Sequence, residues 1–384
     1  MSHRANRRCK LPGTLWGLVA FYNPCGYKSR RRNYGWFASR VRKQGLKLLC
    51  VELADSPRRF ELTSEDADRL VQVTSASVLW HKERLLNIGL DHLPDECDKI
   101  AWLDADILFA DDGWIEETSA LLERYPVVQP FSRAVRLGRW VHPDALERGR
   151  IHNRSRHTKT GMARSAALGS HLPGPLRESG LAWASRRSTF EGLGFFDCGV
   201  IGGGDLFMAQ AFWGDTKNPL RAFVGAAMRD ALDHWQARIH RRVGGRVANA
   251  SGVVSHLWHG SRGNALHVRR LAWLAEHEFD PQRDLKLNPD ACWEWASDKS
   301  GLHRRVEHYF RQRNEDGSVI RNLGATLEAA KFVSLRSAGL SVLCGRPATL
   351  LGTLATRLEP AIHEPLSRLR SFLASYLLGD VHRS

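Results

Sequence analysis

The sequence predicts an α/β fold: a mostly parallel, doubly wound sheet flanked by helices, with a helical C-terminal appendage. Three observations predict it. Apolar runs of strand length alternate with segments of helical periodicity over residues 15–109. Two of the runs, LKLLCVE at 46–52 and KIAWLDADILF at 99–109, are apolar on both alternating faces, as in strands covered on both sides. The 384 residues are 43% hydrophobic and 25% charged, an ordinary globular composition that excludes a disordered or fibrous chain.

In chain order, Leu15–Tyr22 reads as the first strand, stopped by Asn23-Pro24. This run is too short to span a membrane and lacks a small-residue cleavage site. A polar loop rich in Gly and Arg is expected over 23–35, then a helix over Tyr34–Gln44. Leu46–Glu52 and Leu70–Val73 are the second and third strands, and Val78–Gly89 a helix that stops at glycine. Lys99–Phe109 reads as one further strand. Residues 133–187 lose clear periodicity and carry twelve Lys/Arg against three acids. Order returns over Gly180–Trp213, and Gly252–Trp258 is a late strand. The expected division is a main domain over 1–265, a charged helical extension over 266–330 and an amphipathic tail over 331–384. In the tail, Leu366, Leu369, Phe372, Leu373, Tyr376 and Leu377 share a helical face, which suits packing on protein or peripheral contact with an anionic membrane.

Charge bounds the partners. With 56 Lys+Arg against 41 Asp+Glu the chain carries +15, and residues 1–51 hold twelve Lys/Arg and no acid, so an anionic partner is expected. Nucleic acid is disfavoured because no helix-turn-helix, RNA-binding or zinc pattern appears. Seven scattered cysteines without a CxxC pair fit reduced thiols and a cytoplasmic protein, peripheral on the inner membrane face if the tail binds lipid.

Three patterns carry chemistry. Asp104 and Asp106 stand two apart in the apolar run 99–109, so in extended chain they point to one face beside Ile100, Trp102 and Ile107. Burying two carboxylates is costly unless a cation compensates, and Mg²⁺ or Mn²⁺ is the natural choice; a solvated acidic strand end is the other reading. The turn Gly202-Gly203-Gly204-Asp205 places one carboxylate after three glycines, as a helix cap or as a general base. His256 and His259 follow an apolar strand and are either structural or imidazole ligands; a His ligand would tilt the metal toward Mn²⁺.

Residues Trp80–Phe109 (WHKERLLNIGLDHLPDECDKIAWLDADILF) resemble the segment leading into the DxD motif of GT-A fold glycosyltransferases, especially family 2-like members. The strand ending in Tyr22-Asn23-Pro24 resembles that family's first nucleotide-binding strand. Gly180–Phe212 resembles its acceptor-side segment, although the usual "GGED" is Gly202-Gly203-Gly204-Asp205 here, without the Glu. Together the likeness covers roughly residues 14–270. It implies a GT-A-like, Rossmann-type domain that moves a sugar from a nucleotide-sugar donor to an acceptor hydroxyl, metal-dependent and inverting. The acceptor would be a glycan, a lipid-linked molecule or a protein.

The same resemblance distributes roles. Asp106 would bind the metal directly, Asp104 the ribose or the metal through water, and His259 would be a further metal ligand, with His256 a second candidate. Asn23, Glu52 and Lys82 would serve the donor, Glu52 at the base or ribose and Lys82 at the diphosphate. Asp205 would be the general base, with Asp197 as fallback, and Trp183 would stack on a sugar. Two alternatives stand beside this reading: a polyanion- or nucleic-acid-binding α/β protein, and a relative that binds nucleotide sugar without turning it over.

Overall fold

The computed structural model describes residues 14–141, 158–169, 177–215, 221, 224–260 and 269–317. The tail expected over 331–384 lies outside the described residues. Through Asp316 the described residues belong to one compact unit.

Strand β1 (Leu15–Tyr22) pairs in parallel with β2 (Lys47–Ala54), and β2 with β3 (Arg69–Thr74). Helix α1 (Lys28–Lys43) crosses between the first two strands, and α2 (Lys82–Asp91) leads to β4 (Lys99–Leu103), which pairs with β1 on its other side. Beyond β4 come β5 (Ile107–Phe109), α3 (Trp114–Leu122), β6 (Val127–Gln129), β7 (Arg133–Arg136), β8 (Thr158–Gly161), α4 (Met162–Ala167), β9 (Arg177–Glu178) and β10 (Ala182–Arg186). The second half holds α5 (Gly204–Trp213), α6 (Ala226–Val243), β11 (Val247–Asn249), β12 (Val253–His256), α7 (Arg269–Glu276), α8 (Pro281–Asp284), β13 (Leu285–Leu287), β14 (Trp293–Trp295) and α9 (Ser300–Gln312).

The large sheet has the order β11-β6-β10-β4-β1-β2-β3, with β10 antiparallel to both of its neighbours, so it is mostly parallel as expected. Period-2 alternation sends successive residues to opposite layers. Leu18, Leu49, Val51, Ile100, Trp102 and Trp183 enter one core with α2, α5 and α6, while Val19, Leu48, Cys50, Ala101, Leu103 and Ala182 enter another with α1 and α3. Both faces are covered, which is why these strands read as continuous apolar runs.

Three expectations are corrected. The run 99–109 is two strands: β4 ends at Leu103, the chain turns at Ala105-Asp106, and β5 joins a second sheet of order β5-β12-β7-β8-β9. The loop expected over 23–35 is mostly helix, because α1 starts at Lys28. Its basic residues are largely spent within the protein, with Arg30 on Glu315, Arg31 on Asp66 and Arg40 on Asp112. Finally, the helical extension expected over 266–330 contains the β13–β14 hairpin, paired Leu285 to Trp295. Among the described residues no helix is long and apolar enough to cross a membrane.

Candidate metal and transfer site

The site forms where the chain leaves the large sheet for the second one. Asp104 N–H donates to Leu181 O at 2.7 Å and Leu257 N–H to Asp106 O at 2.8 Å, so each Asp is tied to a different neighbour. Extended chain would have pointed both carboxylates one way. The turn at Ala105-Asp106 separates them.

Asp104 faces Lys82 at the start of α2, with Nζ 2.5 Å from Asp104 Oδ1. The same ammonium reaches both oxygens of Asp205, at 2.8 and 3.0 Å. Asp205 can do this because the turn before α5 runs through left-handed Gly202 (φ 85°) and Gly203 (φ 96°), and Gly203 is the N-cap residue. No side chain caps α5, so Asp205 serves Lys82. Beneath them lies Glu83, which the sequence reading passed over. It is buried, its Oε1 has no hydrogen-bond partner among the described residues, and a methyl at Gly204 would fall 2.3 Å from that oxygen.

Electrostatics follow from this packing. Burial works to lower the Lys82 pKa, but Asp104 and Asp205 outweigh it and hold the ammonium well above its ordinary value. Burial, with the charge of Asp205, pushes the Glu83 carboxyl up to about 8. Burial likewise raises Asp104 to about 6, against the pull of Lys82.

Asp106 faces the other way. In the β5–β12 ladder His256 lies opposite Ile107, which sets its ring beside Asp106. His256 Nε2 is 3.4 Å from Asp106 Oδ1 and His259 Nε2 is 3.7 Å from Asp106 Oδ2, with the two Nε2 atoms 3.0 Å apart. One carboxylate and two imidazoles thus converge. Burial tends to raise the Asp106 pKa, yet the two imidazoles hold it far below the carboxylate range. Burial also lowers His259 to about 4, keeping its ring neutral and its lone pair open at neutral pH.

Behind His259 stands a second residue that the sequence reading missed. Glu315 Oε1 is 4.0 Å from His259 Nδ1, and the carboxylate is gripped by Arg30 at 2.5 and 2.8 Å and by Arg313. Burial opposes its ionisation, but the two guanidinium groups hold it down to about 2. Glu315 lies 56 positions after His259 in the chain, and no local pattern ties it to the motif.

The remaining expected residues are not gathered here. Trp183 is 2% exposed, packs on Phe212 and Trp213, and donates its indole N–H to Ser179 O at 2.8 Å. The alternation of β10 turns it into the core, so it cannot stack on a sugar. Glu52, also buried, accepts from the backbone N–H groups of Glu61 (2.6 Å) and Leu62 and from Gln72 (2.8 Å). Asn23 accepts from Tyr27 N–H at 2.9 Å and donates to Glu61 at 2.8 Å, which fixes the entry to α1. Asp197 is held by Arg84 and Asn87, each at 2.9 Å. Of the residues expected to bind metal, Asp106 and His259 converge with the second candidate His256, whereas Asp104 pairs with Lys82.

No protein-family profile matches the chain, and no curated protein matches it. Among solved structures it is similar to the catalytic domain of Drosophila β1,4-galactosyltransferase 7 in complex with xylobiose, with 13% identity, 75% of this chain and 97% of that chain covered, and a TM-score of 0.33. Glucosyl-3-phosphoglycerate synthase from Mycobacterium tuberculosis, in complex with Mn²⁺, UDP and phosphoglyceric acid, is similar at 15% identity, 72% and 82% coverage and a TM-score of 0.36. Residues 1–349 of S. aureus TarS in complex with UDP-GlcNAc give 8% identity, 78% and 72% coverage and a TM-score of 0.35.

Proposed function

We propose that the protein is a metal-dependent glycosyltransferase that moves a sugar from a nucleotide-sugar donor to an acceptor hydroxyl with inversion. The observation that carries the proposal is the division of labour across Ala105. A cluster of one carboxylate and two imidazoles stands on one side, and a lysine-oriented pair of carboxylates on the other.

The residues fit a divalent ion. Ligand atoms about 2.1 Å from one ion and at right angles to each other would lie about 3.0 Å apart; the two imidazole nitrogens stand 3.0 Å apart, and Asp106 places Oδ1 3.4 Å from one and Oδ2 3.7 Å from the other. Asp106, His256 and His259 would hold the ion. Mn²⁺ suits a mixed oxygen and nitrogen set better than Mg²⁺. When bound, such an ion supplies Lewis acidity to a departing diphosphate.

The chain's own residues do the rest. Lys82 donates to both oxygens of Asp205 and fixes the plane of that carboxylate. Asp205, with its side chain 27% exposed, is open to an acceptor and would take the proton of the attacking hydroxyl. Asp104 shares the lysine and would orient the donor from the strand end. Glu315 buttresses His259 from behind.

The test is a thermal-shift screen of nucleoside diphosphates and nucleotide sugars, with and without Mn²⁺. One nucleotide should stabilise the protein only when Mn²⁺ is present. No stabilisation by any nucleotide, together with tight and steeply salt-dependent binding of nucleic acid, would replace this reading with polyanion binding.

A further inference from the structure

Arg270, on α7, is buried to 5% exposure. Among the described residues no carboxylate pairs with it. Its guanidinium lies between two aromatic rings, 5.5 Å from Trp80 and 5.2 Å from Tyr309, and its Nη1 donates to the Tyr309 hydroxyl. Its Nε is a buried donor with no partner, and the Nη1 donation to Tyr309 is the one hydrogen bond of the guanidinium among the described residues. Nε and Nη2 form one edge of the guanidinium, the fork that grips a carboxylate or phosphate with two parallel hydrogen bonds.

Glu315, the carboxylate paired with Arg313 of this cluster, already serves Arg30 as well. Arg313 joins the same cluster, 5.3 Å from the Trp80 ring and 3.0 Å from the Tyr309 hydroxyl. A guanidinium buried without a counter-charge is costly, and contacts with ring faces offset only part of that cost. An oxyanion would supply the missing charge and take both idle N–H groups.

The fork has a defined place. A methyl at Gly202 would come 3.0 Å from Arg270 Nη2, so the arginine rests on the turn that leads, three residues on, to Asp205. Trp80, two residues before Lys82, covers it, and Trp80 N–H donates to Val200 O at 2.9 Å. The fork therefore lies along the two segments that carry the proposed base and its lysine. The rim residues Trp80 and Arg313 are partly exposed.

We propose that Arg270 is an oxyanion receptor on the acceptor side of the site, and that the acceptor carries a phosphate or carboxylate group which this fork holds. The acceptor assignment rests on the transferase reading, whereas oxyanion binding at Arg270 does not.

The test is calorimetric titration of inorganic phosphate into the full chain, first without metal or nucleotide, then with Mn²⁺ and the nucleoside diphosphate that stabilises it most. Wild type should bind phosphate, R270Q should bind it at least about tenfold more weakly, and far-UV circular dichroism should be unchanged. R270K, which keeps the charge but not the fork, should show an intermediate loss, and it decides the matter if R270Q fails to fold. Phosphate binding should persist with Mn²⁺ and nucleotide present. No binding by wild type, or equal binding by the variants, overturns the receptor. Displacement of phosphate by the nucleotide would assign the fork to the donor diphosphate and overturn the acceptor assignment. If no nucleotide binds at all, the transferase reading fails while the first titration still decides the receptor.

Discussion

Asp104 and Asp106 are separated by one residue yet belong to different chemistries. Asp104 is paired from within, by a lysine at 2.5 Å that also holds Asp205. Asp106 faces two imidazoles whose nitrogens stand 3.0 Å apart, with no lysine or arginine paired to it among the described residues. The first cluster is an ion-pair network of one ammonium shared by two carboxylates. The second groups three side chains that could hold a cation from outside. A DxD pair is therefore not a single motif here, because the break between β4 and β5 turns one carboxylate toward Lys82 and the other toward His256 and His259.

The comparison can be broken from either side, and the largest effect is expected on the metal side. Asp106→Asn and His259→Ala should abolish Mn²⁺-dependent hydrolysis or transfer of the nucleotide sugar, measured as product release; retained turnover in both variants would reject the ligand set. On the other side, Asp205→Asn should cost about 10²–10⁴-fold in transfer while nucleotide affinity measured by calorimetry stays unchanged. Loss of nucleotide affinity instead would make Asp205 a donor or structural residue.

Stability sharpens the contrast. Lys82→Met strands Asp104, Asp205 and Glu83 around a vacated charge and should destabilise the fold by about 3–5 kcal/mol in urea titrations. Trp183→Ala should cost a similar amount, about 3–5 kcal/mol, through cavity formation. Trp183→Phe should leave the acceptor KM unchanged, because the indole is core; a raised KM would restore a sugar contact.

A pH dependence is also expected. The Glu83 carboxyl is raised from 4.5 to about 8 by burial and the Asp205 charge, so between these values the folded protein keeps a proton that the unfolded chain has lost. Its contribution to stability is full at low pH and falls as pH rises toward 8. Glu83→Gln lacks this slope, so its melting temperature should gain on wild type from pH 5 to pH 8. Parallel melting curves across that range would show that Glu83 is ionised in the fold.

Much of the fold was legible because its signals are local. The buried strands show continuous apolar runs, and β1 has the limits expected. The break after Leu103 was hidden because β4 and β5 are both apolar and join without glycine or proline. The early start of α1 was hidden by its arginines, which read as a loop until Asp66, Asp112 and Glu315 are seen beside them. Within the site, Asp106 and His259 stood in recognisable patterns, whereas Glu315 and Arg270 become functional candidates only through contacts distant in sequence. Trp183 misled for a physical reason, since an aromatic suited to a sugar is equally suited to a core.

The division across Ala105 is tested most directly by Mn²⁺ affinity, read by electron paramagnetic resonance titration of wild type, Asp104→Asn and Asp106→Asn without nucleotide. We expect Asp104→Asn to bind Mn²⁺ within a factor of about three of wild type, and Asp106→Asn to lose at least about tenfold. Equal loss in the two variants would contradict the division and return both carboxylates to one metal site.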